Sequence, residues 1–168
     1  MELIPTVLRG LQLLWVLLLT ALIGNVIALN VNAAGSATAA INFSMFVIVI
    51  SWLATIFGLA SLFVDRLANL MALLVADGAA TLFTFISAIV LAAKLGVVNC
   101  SDTKDKGESW IGYGSLDDTK RCREIQASTV FMWFLFVSFA AGLVFTYLGF
   151  RRTGGSVRSG PTMSQVRV

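Results

Sequence analysis

Met71–Ala93 reads MALLVADGAATLFTFISAIVLAA, 23 residues with a single carboxylate, Asp77. A helix that crosses a bilayer needs about 20 mostly apolar residues, so this stretch is long enough to span one. Small residues recur at every fourth position: Ala72, Ala76, Ala80, Thr84, Ala88 and Ala92. Helices in lipid gain little from hydrophobicity against one another, so small side chains that let backbones approach matter more. An ionisable group at this depth faces protein or a cavity rather than acyl chains. The stretch is therefore expected to be the inward-facing helix of a membrane bundle. Asp77, Thr81 and Thr84 should form its polar side.

The composition agrees. The 168 residues are 58% hydrophobic and 12% charged, whereas a soluble domain carries about 25% charged residues. Mean hydropathy is +0.88. The net charge is +3, but the basic residues sit beside apolar stretches, so nucleic acid is not an expected partner. The chain has no histidine and two cysteines, which removes most metal sites, Cys–His nucleophile pairs and imidazole acid–base chemistry. No phosphate-cradling, dinucleotide-binding or zinc-protease motif is present. The expectation is a non-enzyme without a cofactor, for which a lipid or sterol is the one ligand in view.

Outward from Asp77, residues 1–150 read as one all-α integral membrane domain, an antiparallel four-helix bundle. Its spans are expected at about 11–29, 43–64, 71–93 and 127–150, with Glu2 and Arg9 in a short head before the first. The Asp65–Arg66 turn makes the second and third spans antiparallel neighbours. Residues 94–126 form a polar loop with six basic and six acidic side chains. Residues 151–168 form a Gly/Ser-rich tail with four arginines and no acid, which is expected to be disordered.

Four spans put both termini on one side. Arg151 and Arg152 abut the fourth span, and Cys100 and Cys122 share the long loop. Positive residues favour the cytosolic face and disulfides an oxidising compartment. The termini are therefore expected in the cytosol and the long loop outside, with Cys100 and Cys122 bridged. The bridge would stabilise the fold by about 3 kcal/mol through loop entropy. Asn99-Cys100-Ser101 matches a glycosylation sequon, but it lies close to the membrane and is expected to stay unmodified.

Several stretches resemble a known family. Two cysteines in a long second loop between four spans look like the MARVEL-domain tetraspans. More closely, the chain resembles the fungal non-classical export proteins associated with eisosomes. The matching stretches are NFSMFVIVISWLATIFGL (Asn42–Leu59), ADGAATLFTFISAIVLA in the third span, Asn99-Cys100, KRCREIQAS (Lys120–Ser128) and PTMSQV (Pro161–Val166). The resemblance implies a plasma-membrane organiser of sterol- and sphingolipid-rich domains that responds to sphingolipid levels. It also implies cytosolic membrane-domain scaffold proteins as partners.

Individual residues carry competing readings. Asp77 could relay protons or ions, which would make the protein a small channel or carrier. One intramembrane acid with no second charge favours a structural role instead, with Thr20, Thr55 and Ser138 as partners at similar depth. On that reading Asp77→Asn folds and still reaches membrane domains. Ala54 and Gly58 form a small-residue pair that should pack on the Ala76–Ala80 part of the ridge, and the outer part, Ala88 and Ala92, should meet another element, for example a second subunit of a homo-oligomer. Trp52 lies mid-span, and its indole N–H needs an acceptor in an inter-helix, inter-subunit or lipid contact. Trp15, Trp133 and Tyr147 suit interface belts. Arg151 and Arg152 suit anionic inner-leaflet headgroups.

Overall fold

The computed structural model describes residues 3–63, 70–102, 106, 107 and 109–152. The Asp65–Arg66 turn, Glu2 and the tail beyond Arg152, with Arg158, Arg167 and the PTMSQV stretch, lie outside the described residues. The described residues form four helices: α1 (Leu3–Ala28), α2 (Gly35–Phe63), α3 (Leu70–Leu95) and α4 (Asp118–Arg152). Each is long and apolar enough to cross a bilayer, so this is a multi-pass all-α membrane protein. α1 packs on α2 and α4, and α3 on α2 and α4. The helices thus form a ring of four, with α1 and α3 on one diagonal.

One pattern builds all four helices. The buried side chains step alternately by three and four residues, which keeps one stripe of a helix facing its neighbours. In α1 the stripe is Arg9, Gln12, Val16, Leu19, Ile23 and Val26, and in α2 Ala37, Ile41, Ser44, Ile48, Ser51, Thr55 and Gly58. In α3 it is Asp77, Ala80, Thr84, Ser87 and Leu91, and in α4 Arg121, Ile125, Ser128, Met132, Leu135 and Phe139. The α1 and α4 stripes are mostly large and apolar. The α2 and α3 stripes are rich in hydroxyls, and Ser87 donates to Ser44 across their contact at 3.0 Å.

The helices overrun the expected spans. α1 begins at Leu3, so Arg9 belongs to its buried stripe and not to a head. Pro5 sits in the first turn, where a missing N–H breaks no helical bond. α2 begins at Gly35, because the uncharged small-residue run before Phe43 continues the helix. α4 begins at Asp118, with Asp117 accepting from the Lys120 amide at 2.9 Å as an N-cap. The connection after α3 therefore runs only over 96–117. At about 1.5 Å per residue, a 35-residue α4 outruns a hydrocarbon core of about 30 Å.

Trp15 and Trp133 sit differently from expectation. Trp15 stacks on Phe131 with centroids 5.6 Å apart, and Trp133 meets Phe85 edge-on at 6.0 Å. Both lie midway along their helices, not at the ends where an interface belt would place them. The indole of Trp52 donates to Thr20 Oγ1 at 2.9 Å, so its acceptor is α1 of the same chain and not a lipid or second subunit.

Opposite the termini, the connections fold into a cap. Cys100 and Cys122 are joined by a disulfide. Trp110 donates its indole N–H to the Leu95 carbonyl at the end of α3, at 2.9 Å. The Val31 amide donates to the Gly114 carbonyl at 2.8 Å, tying the first loop to the second. Gly114 has φ +107°, and a Cβ there would run into the Ala33 backbone. Arg121, 3% exposed, donates to the Ile111 and Val26 carbonyls at 3.1 and 3.3 Å. A cation on the last carbonyls of α1 is favourable for the helix dipole.

Candidate functional site

The polar site lies at the terminal end of the bundle, where helices α1 and α3 start and α2 and α4 finish. Asp77 is fully buried, eight residues into α3. Its two carboxylate oxygens accept from the two terminal nitrogens of Arg9, at 2.7 and 2.6 Å. The fork geometry matches guanidinium to carboxylate and strengthens both bonds. Arg9 is seven residues into α1, on the helix diagonal to Asp77, so this pair bridges two helices that do not pack on each other.

The other two helices complete the site. Arg9 also donates to Gln12 Oε1 at 2.9 Å, and Gln12 Nε2 donates to the Ser138 carbonyl of α4 at 3.1 Å. On α2, Gly58 leaves the space in which the guanidinium lies, and a Cβ there would collide with it. One chain of bonds and one close contact therefore link α3, α1, α4 and α2. Such a pair adds little net stability over well-packed apolar residues, but removing one partner costs about 3–5 kcal/mol because it strands a buried charge.

Of the partners expected for Asp77, Thr20 and Ser138 bond elsewhere. Thr20 donates to the Val16 carbonyl and Ser138 Oγ to the Leu135 carbonyl. Thr81 donates to the backbone carbonyl of Asp77, not to its carboxylate, at 2.6 Å. Thr55 is buried with no hydrogen-bond partner. The expectation of an acid without a second charge is corrected: Arg9 is that charge. Arg9 was missed because a basic residue eight positions after Met1 reads as a membrane-boundary charge. Its three-residue step to Gln12, and Gln12's four-residue step to Val16, are the signal that places it in the stripe.

The four-residue ridge is only partly internal. Ala80, Thr84 and Ala88 are buried, Ala72 and Ala76 half-buried, and Ala92 exposed. A four-residue step turns about 40° further round the helix each time, so the ridge leaves the contact that the alternating step keeps. Gly58 meets Arg9 rather than an alanine of α3. Arg151 is exposed in the last turn of α4, ahead of Arg152. Among the described residues, no group of three or more acidic, cysteine or histidine side chains could hold a metal.

No curated protein matches the chain, and no solved structure does. The MARVEL family, described as a membrane-associating domain, matches residues 2–145. That match spans all four helices up to the last turns of α4 and includes both Arg9 and Asp77. The chain belongs to the MARVEL family of membrane-associating, non-enzymatic domains.

Proposed function

We propose that the protein is a non-enzymatic scaffold of the plasma membrane that organises sterol- and sphingolipid-rich domains of the eisosome type and responds to sphingolipid. The termini face the cytosol, where Arg151 and Arg152 meet anionic inner-leaflet lipids and the tail recruits domain scaffold proteins. Copies assemble as homo-oligomers. The observation that carries this reading is the membrane-associating family match over a bundle whose central charges neutralise each other. Both oxygens of Asp77 are taken by Arg9, which favours a structural acid over the alternative of a channel or carrier centred on it.

The test is imaging of the fluorescently tagged chain in a fungal plasma membrane, before and after sphingolipid synthesis is blocked. Static patches that disperse on depletion are expected. A uniform distribution that ignores sphingolipid would overturn the proposal. Proton flux through liposomes carrying the purified protein would instead support the carrier.

A further inference from the structure

Thr55 is fully buried in α2, and among the described residues its Oγ1 is the buried side-chain polar atom left without a hydrogen-bond partner. The neighbouring hydroxyls behave otherwise. Ser44, Ser51, Thr81 and Thr84 each donate to a carbonyl one turn back on their own helix. Thr55 does not use the Ser51 carbonyl in this way. An unsatisfied buried hydroxyl costs free energy that native structures rarely leave uncompensated.

Its place in the bundle points to a ligand. Thr55 lies three residues before Gly58, on the same face of α2, and Gly58 borders the Arg9 guanidinium. α2 runs opposite to α3, and counting along both helices from the Ser44–Ser87 contact towards the terminal end brings Thr55 level with Ala76, next to Asp77. Gln12 is fully buried. Its Oε1 accepts from Arg9, and one amide hydrogen goes to the Ser138 carbonyl, which leaves the second hydrogen as a donor.

We propose that Thr55 holds a buried water molecule that joins α2 to the Arg9–Asp77–Gln12 network. A buried water makes about three hydrogen bonds to groups otherwise unsatisfied. The Thr55 hydroxyl, the second Gln12 amide hydrogen and a remaining lone pair of Asp77 supply donors and acceptors of that number. The water gives α2, which borders the guanidinium at the bare Gly58, a hydrogen-bonded share in the site.

Water-edited solid-state NMR of the full chain in lipid bilayers tests this directly. Thr55 side-chain signals should receive water magnetisation early, while Val47 and Ile48 on the same helix lag. Thr55 lagging with them would overturn the proposal. A second readout uses Thr55→Val, which keeps the shape and removes the hydroxyl. It should lower Tm by about 2–4 °C, the shift expected for one such interaction in a chain of this size. An unchanged or raised Tm in Thr55→Val would show that the hydroxyl holds no water.

Discussion

Arg9 and Asp77 are each 7% exposed or less, and each is the other's only neutralising partner among the described residues. That changes what a substitution at Asp77 should do. Replacing a lone neutral acid by Asn would be mild, but Asp77→Asn here leaves the Arg9 cation buried and unpaired. The expected cost is about 3–5 kcal/mol, seen as loss of stability in equilibrium unfolding of the protein in lipid or detergent. The same reasoning extends to Gly58. Gly58→Leu places a side chain where the guanidinium lies, so it should destabilise comparably by pushing Arg9 off Asp77. Gly24→Ala, where a Cβ meets nothing, serves as its control. Unchanged stability in Gly58→Leu would mean that Arg9 has another place to go.

At the scale of the element, the spans were legible because about 20 apolar residues leave few alternatives. Their ends were not. The small uncharged run before Phe43 and the polar start of α4 have no hydropathy to mark them, yet backbone hydrogen bonding carries the helix through both. The inward face of α3 was half legible. Ala80 and Thr84 lie on both the four-residue ridge and the alternating stripe, whereas Ala92 lies only on the ridge and ends exposed. This separates two substitutions that the ridge alone would treat alike. Ala80→Leu should cost about 1–3 kcal/mol by overpacking, and Ala92→Leu should leave thermal stability near that of the parent. Equal losses would restore the ridge as the packing surface. Arg9 stayed hidden because hydropathy counts a cation against a span, and only its spacing to Gln12 and Val16 includes it.

Across the whole molecule, the bundle is closed at both ends by different means. At the cap, the Cys100–Cys122 disulfide joins residues 22 apart in sequence and fastens the second loop at the base of α4. Cys122→Ala should free a reactive thiol at Cys100 and lower stability by about 3 kcal/mol. A mass spectrum of the unreduced parent with two alkylatable thiols would contradict the bridge. At the terminal end, the closure is the ion pair on the diagonal, and it is the feature on which the structural reading of Asp77 depends. The most direct measurement is a double-mutant cycle between Arg9→Met and Asp77→Leu, followed by unfolding of each variant in the same lipid mixture. The account predicts that each single change destabilises strongly and that the double variant recovers most of the loss, because no charge is then left buried alone. Losses that simply add would mean that Arg9 and Asp77 do not meet, and would contradict the account.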